Sequence, residues 1–317
     1  MANQYTGTGS GTLGGTAGSA GVVQVAYDLL LEKALRSEPL LRSVADKTPA
    51  RQSFPGQVVN LQKYVDLAPN TTPLTETVDP DAVAIPTPTL VSITLQELGQ
   101  AVLKTRLLNL TSMTDVDPAV ADMIAFNAVD SIDTAAGTVL RGGSNVIYGG
   151  TRTSTATVTA TDTITSANLR KAVTKLKAGK SAARKDGLYW VGIHPEVSHD
   201  LRSETGSAGW LLPNQYGAAQ DRIWKGEIGT YEGAFYVESP RMYNATDGAS
   251  SARVYRTIVA GKQALAEAVA QEPHIEIGNM TDKLNRFRPI GWYAVIGWSI
   301  FRQEALYRIE TGSSVAS

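Results

Sequence analysis

The chain has 317 residues, enough for one elaborate domain or two, with 43% hydrophobic and 19% charged residues. Its net charge of −1 argues against bulk attraction to nucleic acid or membrane, and the absence of cysteine excludes disulfides, thiolate nucleophiles and cysteine-based metal sites. No apolar run approaches the roughly 18 residues of a membrane span, and the N-terminus lacks the basic segment and apolar core of a secretory signal.

The charge is unevenly spread. Residues 1–165 carry 10 Lys and Arg against 15 Asp and Glu, while residues 166–317 carry 19 against 15. An acidic half and a basic half can attract each other between copies.

In chain order, residues 1–21 are rich in Gly, Ser and Thr and nearly uncharged, which predicts a flexible arm. Gly9, Gly11 and Gly14 match GxGxxG, but no hydrophobic strand precedes them and no helix follows at once, so the setting of a nucleotide-binding loop is missing. Residues 22–37 read as a helix ended by Pro39, with Val23, Tyr27, Leu30, Ala34 and Leu35 at core spacing. Residues 57–67 alternate like a strand, Val59 and Leu61 on one face, with Tyr64 or Val65 after a slip. Residues 68–88 hold the acids Glu76, Asp79 and Asp81 and five prolines (Pro69, Pro73, Pro80, Pro86, Pro88), which exclude helix and central strand. Residues 90–105 return as a strand with Val91, Ile93 and Leu95 on one face. Together these make a large hairpin with too little apolar surface to stand alone, and such an arm usually rests on another subunit.

Residues 117–141 predict one long helix. Asp117 suits the N-cap and Pro118 the first helical position. Small or apolar residues recur at Ala121, Ile124, Ala125, Ala128, Ile132, Ala135, Ala136 and Val139, with Asp122, Asp130 and Asp133 off that stripe. Gly142 and Gly143 supply the stop. A stripe of small side chains lets a flat sheet lie close. Residues 151–165 are Thr-rich and predict an exposed strand and turn. Ser166 is expected to cap a short basic helix over residues 167–178, with Leu169, Ala172, Val173 and Leu176 facing in. Arg170, Lys171, Lys175 and Lys177 face out, and Gly179 ends the helix. That cationic face fits a subunit contact or a DNA-facing patch; no aromatic interleaves for base stacking.

Residues 188–193 predict a buried strand running into His194-Pro195, with Pro195 opening a short helix over residues 196–203. Residues 206–217 and 244–251 read as loops, and residues 228–237 as a hairpin with Glu232-Gly233 at its turn. Residues 253–260 read as a strand; residues 264–270 fit strand or helix. Residues 291–309 predict a long aromatic-rich β stretch. The order suggests an α+β chain of two intertwined lobes, the second inserted in the first.

No constellation for chemistry stands out. His194 and His199 are five residues apart and so do not share a helix face for zinc; His274 is isolated from both in sequence. GxSxG, HExxH and GxxxxGK[ST] are absent. Asp115/Asp117 and Asp79/Asp81 sit where solvation or capping accounts for them. No catalytic, cofactor-binding or metal residue is therefore expected, and no cofactor.

The run Gly226-Glu227-Ile228-Gly229-Thr230-Tyr231-Glu232-Gly233 ending in Val237-Glu238-Ser239 resembles a signature of one branch of tailed-bacteriophage major capsid proteins. The strand before His194-Pro195, the run from Asp282 to Arg286 before Gly291-Trp292, and the closing Arg308-Ile309-Glu310 are similar to that branch too. No insertion domain is visible. The resemblance implies an α+β, Hong Kong 97-type capsid fold. It implies an N-terminal arm at 1–48, an extended β-hairpin loop at 49–100 lying over a neighbour, and a peripheral domain at 101–165 holding the spine helix. An axial domain follows at 166–270, with return strands of the peripheral domain at 271–317. It further implies a non-enzymatic major capsid protein that assembles with copies of itself into hexamers and pentamers of a shell. Portal, scaffolding and decoration proteins and non-specifically packaged DNA are its other expected partners; a membrane is not. The expected place is the virion capsid, assembled in the host cytoplasm. Glu76, Asp79 and Asp81 are expected to meet Arg170, Lys171 or Lys175 of a neighbour. Some relatives cross-link a lysine to an asparagine, for which Lys63 and Asn279 stand at roughly matching places. Any scaffold is expected to be a separate protein, with the mature chain starting at Met1 or Ala2. The alternatives are an encapsulin-like compartment shell, or a soluble hydrolase using His194 with Glu196 or Asp200.

Overall fold

The computed structural model describes residues 40–49, 57–74, 76–77, 79, 82–107, 116–204, 230–278, 282, 284 and 286–315. The expected arm and helix before residue 38, the loop at 206–217, Asp81, Asn279 and residues 226–229 lie outside them. A short 3₁₀ turn, Leu41–Val44, leads into β1 (Ala45–Pro49). Strands β2 (Val58–Lys63), β3 (Thr89–Thr94) and β4 (Gln96–Thr105) follow, then helix α1 (Val116–Arg141) and β5 (Val146–Tyr148). Next come α2 (Ser166–Ala178), β6 (Tyr189–Ile193) and α3 (Pro195–Ser203). Strands β7 (Thr230–Tyr231), β8 (Ala234–Glu238), β9 (Asn244–Ala245) and β10 (Val254–Ala260) precede β11 (Leu265–Ile277), β12 (Phe287–Ile300) and β13 (Leu306–Thr311).

Among the described residues the strands form three sheets. A four-stranded sheet runs β1-β11-β12-β4, with β1 parallel to β11 and the other pairs antiparallel. A seven-stranded sheet runs β5-β13-β10-β6-β8-β7, with β9 beside β10. Strands β2 and β3 form an antiparallel ribbon of their own, Lys63 opposite Thr89. Strand β11 passes unbroken through residue 270, and β13 pairs with β10 in the larger sheet.

Helix α1 serves two layers. Ile124, Ala128 and Ile132 pack on Trp292, Ala294 and Ile296 of β12, and Asn127 accepts a bond from the Trp292 indole N–H at 2.9 Å. Farther along, Ala136 and Leu140 join Leu41, Val44, Trp190, Ile258, Leu265 and Leu306 at the junction of the sheets. A Cβ on Gly137 would stand 2.6 Å from Leu41 Cδ1, so the glycine makes the notch that seats Leu41. The helix begins at Val116, two residues before the first helical position of the cap reading, so Asp117 lies in its first turn. Ala125, which the spacing places on the stripe, is exposed. Asp133, which the spacing places off that stripe, is 1% exposed. It accepts from the Arg42 backbone N–H at 2.8 Å and from Arg241 Nε at 3.3 Å, partners that no local pattern reveals. At the C-terminus, Arg308 Nη1 donates to the carbonyls of Arg141 and Gly143, groups a helix end leaves unpaired.

The second core lies where α2 and α3 cover the seven-stranded sheet. Leu169, Ala172, Val173 and Leu176 of α2 face it as the spacing predicts, with Val197 and Leu201 of α3 and Val191, Ile193 and Tyr255 from the sheet. Thr165, not Ser166, is the N-cap of α2, its hydroxyl accepting from the Asn168 N–H at 3.4 Å. The helix ends with Lys180, rather than Gly179, in the left-handed region (φ 51°). Ser181 N–H reaches Leu176 O and Lys180 N–H reaches Lys177 O, which satisfies the last carbonyls. His194 caps α3, its Nδ1 accepting from the Glu196 N–H at 3.3 Å, with Pro195 at the first helical position. Glu232 (φ 50°) and Gly233 (φ 80°) make the expected turn between β7 and β8.

Other expectations need correction. Strand β2 stops at Lys63, and Tyr64, Val65 and Leu67 stand exposed beyond it. The predicted strand at 90–105 is two strands in different sheets, broken at Leu95, because β3 stays with the ribbon while β4 crosses to pair with β12. Residues 151–165 hold turns and the 3₁₀ segment Thr155–Thr157 instead of a strand. There Asp162 Oδ2 accepts from the Thr159 N–H, the Thr159 hydroxyl and Arg152 Nε, so the threonines bond locally rather than across a ladder. Burial alone would raise the Asp162 pKa, but these bonds hold it below the usual carboxylate range. The ambiguous 264–270 stretch is strand, part of β11. The terminal β stretch divides at Gln303–Ala305 into β12 and β13, which belong to different sheets.

Candidate subunit-contact surface

The ribbon β2-β3 is held along its length by the body of the chain. Ile93, fully buried, packs with Ala266 and Ala268 of β11, with Val59, Leu61, Leu95 and Phe301 around it. Gly297 of β12 lets it sit flush, since a Cβ there would meet Thr94 O at 2.3 Å. At the loop end of the ribbon Lys63 pairs with Glu304 at 3.2 Å. The N–H of Glu304 itself, and then Lys63, lower the Glu304 pKa against its burial.

Beyond Lys63 the described residues of the loop lose cover. Tyr64, Val65, Leu67, Leu74, Val83 and Ile85 are between 56% and 83% exposed. A strip of apolar side chains this open on a proline-stiffened projection marks an interaction surface rather than scattered surface residues. The sequence signal for it was the placing of those residues among prolines, where no fold of the segment alone can bury them. Glu76 and Asp79 are exposed on the same loop.

The cationic face of α2 stands elsewhere. Lys171 and Lys175 are exposed. Arg170 is committed within the chain: its Nε lies 3.2 Å from Glu232, and its Nη2 donates to the Tyr231 hydroxyl at 3.3 Å. Among the described residues no ion pair joins Glu76 or Asp79 to Arg170, Lys171 or Lys175 of the same chain. The acidic and basic sets are thus presented separately.

The groups considered for chemistry serve as structure. Burial lowers the His194 pKa and keeps its ring neutral as a cap. Glu196 accepts from the Tyr255 hydroxyl, whose pKa burial and that bond push up to about 12. Asp200 accepts from the N–H and hydroxyl of Ser314. Among the described residues no three His, Asp or Glu side chains gather as a metal site. No described helix is long and apolar enough to cross a membrane.

Residues 96–313 match the family described as phage capsid protein. The chain belongs to the phage capsid protein family. This capsid subunit is a major capsid protein, a structural component of the phage shell, and its place is the virion capsid. Its α+β fold is of the Hong Kong 97 type. The capsid of Ralstonia phage GP4 is similar over 88% of this chain and 92% of its own, with TM-score 0.69 and 17% identity. The cyanophage Pam1 capsid subunit gives 0.67 at 15% identity, covering 88% and 93%. The head of Helicobacter pylori bacteriophage KHP40 gives 0.65 at 12% identity, covering 88% and 93%. No curated protein sequence matches the capsid subunit.

Proposed function

We propose that the subunit assembles into hexamers and pentamers that close as an icosahedral shell around the double-stranded DNA of a tailed phage. The observation that carries this, beside family membership, is the loop whose apolar strip has no cover among the described residues of its own chain. Many weak contacts acting together make such a shell stable, and heterologous contacts must close rather than run on. The subunit works by assembly and not by catalysis. The segments take the roles of arm (1–48), extended loop (49–100), peripheral domain (101–165 and 271–317) and axial domain (166–270). Pairing of β13 with β10 ties the last strand to the axial part. Assembly takes place in the host cytoplasm; portal, scaffolding and decoration proteins are further partners, and DNA is held without sequence preference.

Within the shell, Glu76, Asp79 and Asp81 of one subunit meet Lys171 and Lys175 of another, with Arg170 joining when it leaves Glu232. The exposure of Glu76, Asp79, Lys171 and Lys175 and the opposite charge of the two halves support this contact. Exposed pairs contribute only about 0.2–1 kcal/mol each and weaken with salt, so their service is orientation. Negative-stain microscopy of the purified protein tests the shell: closed particles with five- and six-fold capsomers are expected, and a uniform small oligomer overturns the proposal. Protein cargo in place of DNA inside the particles favours the compartment-shell alternative. For the charge contact, reversal of Lys171 and Lys175 to Glu is expected to block assembly, and reversal of Glu76 and Asp79 to Lys in the same chain to restore it.

A further inference from the structure

A cleft opens where the last turns of α1 face β10 and the turn Arg241–Tyr243. Its floor is apolar, with Met242 and Ile258 buried beneath it. Its volume is about 70 Å³. Cavities that take an aromatic ring are about twice as large, at about 150 Å³. The cleft therefore has room for one compact group and not for a ring system. The backbone of Tyr243 is tied to β10, its carbonyl accepting from the Arg256 N–H at 3.0 Å. The Tyr243 ring is thereby held at the mouth, 38% exposed.

The charges around the cleft do not balance locally. Arg256 pairs with Asp247 at 2.5 Å and with Glu310 at 3.2 Å, and Arg308 pairs with the same Glu310 at 2.7 Å. Arg141 has no carboxylate partner among the described residues. Its Nε and Nη2 donate only within its own helix, to Gly137 O at 3.2 Å and the Thr138 hydroxyl at 2.6 Å. Three guanidiniums thus share two carboxylates, and the surplus positive charge falls on Arg141. Burial, and then Arg256 and Arg308, lower the Arg141 pKa; only Tyr243 works the other way. Arg141 lies over the Tyr243 ring at 3.7 Å from its centroid, and Arg256 stands 4.9 Å from the same ring. At the far end of the cleft the acids are already answered. Asp133 accepts from the Arg42 N–H and Arg241, and Asp130 accepts from Arg241. That end keeps the negative surplus, so an anion can settle only beside Arg141 and Tyr243.

We propose that the Arg141–Tyr243 end of this cleft holds one backbone phosphate of the packaged DNA. The inference rests on the shell reading above, which supplies the DNA, and names the place where the chain grips it. Three features favour a nucleic-acid phosphate as the occupant. The surplus is a single positive charge, which matches the single negative charge of a phosphodiester. The cations are arginines, whose planar forks suit phosphate oxygens and keep their charge when partly desolvated. An exposed aromatic ring stands among them, the mixture that nucleic-acid surfaces use and that the lysine face of α2 lacks. The contact reads no base, since a phosphate carries no sequence information, in keeping with DNA held without preference.

Hydroxyl-radical labelling of Tyr243 in dissociated full-length subunits, with and without a short DNA duplex, tests the site. Labelling is expected to fall several-fold with the duplex at low salt and to recover as salt rises, while Tyr64 on the hairpin arm stays unchanged. Equal labelling of Tyr243 in both samples overturns the proposal. Equal protection by inorganic phosphate at the same ionic strength assigns the cleft to free phosphate and overturns the DNA reading. Two charge variants should move duplex affinity in opposite directions. Arg141→Gln is expected to weaken it several-fold and to reduce the slope of log affinity against log salt by about 0.9, the value for one phosphate. Asp247→Asn frees Arg256 with little change of shape and is expected to tighten it. Affinity unchanged by both variants overturns the proposal; if Arg141→Gln does not fold, the labelling of the unmodified chain and Asp247→Asn decide. In particles, Tyr243 protected equally before and after the DNA is released and digested would mean that a neighbouring subunit fills the cleft, which also overturns it. Particles formed by a chain whose Tyr243 ignores DNA overturn the cleft alone, and a chain that binds DNA at Tyr243 but forms no particles overturns the shell reading alone.

Discussion

The pair Arg42–Glu267 gives the most demanding test of how the segment before β1 is held. Glu267 is fully buried on β11, and Arg42 reaches it with Nε at 2.9 Å and Nη2 at 2.6 Å. Burial works against the charge on Arg42, yet Glu267 and, after it, Glu272 together offset this and raise the Arg42 pKa. Arg42→Ala leaves a buried carboxylate without its cation. Breaking such a pair costs about 3–5 kcal/mol. The lower end applies here, because the Arg42 side chain keeps 25% of its surface exposed. At about 2–4 °C per kcal/mol for domains of roughly 150–250 residues, a loss of about 6–12 °C in Tm is expected by scanning calorimetry of the particles. The double variant Arg42→Met, Glu267→Leu should recover most of that loss, since apolar residues of similar size often replace a buried ion pair without cost. The backbone bond from Arg42 to Asp133 survives in both variants, so the strap stays in place. A single variant within about 1 °C of the unmodified protein, or a double variant as unstable as the single, refutes the reasoning.

Two further outcomes follow from local geometry. Gly297→Ala sets a Cβ 2.3 Å from Thr94 O and must lift the ribbon base; overpacking of this kind costs about 1–3 kcal/mol. Circular dichroism should stay unchanged while particle yield falls, and unchanged yield would mean that the seat of the ribbon does not matter. The buried His194 ring has its pKa depressed by burial, so the stability its cap contributes is complete above about pH 6.5, the unfolded value, and is lost as pH falls through the depressed folded value. His194→Asn keeps a capping acceptor and should flatten Tm between pH 7.5 and 5, while His194→Ala should lose about 1 kcal/mol at pH 7.5. Identical pH profiles for the unmodified protein and His194→Asn would contradict this.

What could be read from sequence was whatever short-range physics decides. The 3.6-residue rhythm in α1, the inward face of α2, the His194-Pro195 helix start and the Glu232-Gly233 turn depend on neighbours within a few residues. Misreadings arose where distant partners decide. Asp133 is adjacent to the apolar stripe and becomes buried only because Arg42 and Arg241, 91 and 108 residues away, supply its bonds. Threonines at 151–165 have strand propensity, yet Asp162 captures one of them locally. The break at Leu95 reflects a change of sheet, which alternation does not encode. For the contact surface, the exposed acids and lysines were legible as charge. The tie of Arg170 to Glu232 and Tyr231 was not, because it joins two elements 61 residues apart.

The central claim is that the projecting arm finds its burial only against other copies. Lys63 lies opposite Thr89, so residues 64–88 can be replaced by Asn-Gly to close the ribbon with a two-residue turn. Sedimentation velocity of that variant tests the claim most directly. The expected result is a folded protein that sediments as free subunits or small rings under conditions where the unmodified chain forms particles. Closed particles of unmodified size and stability would contradict it.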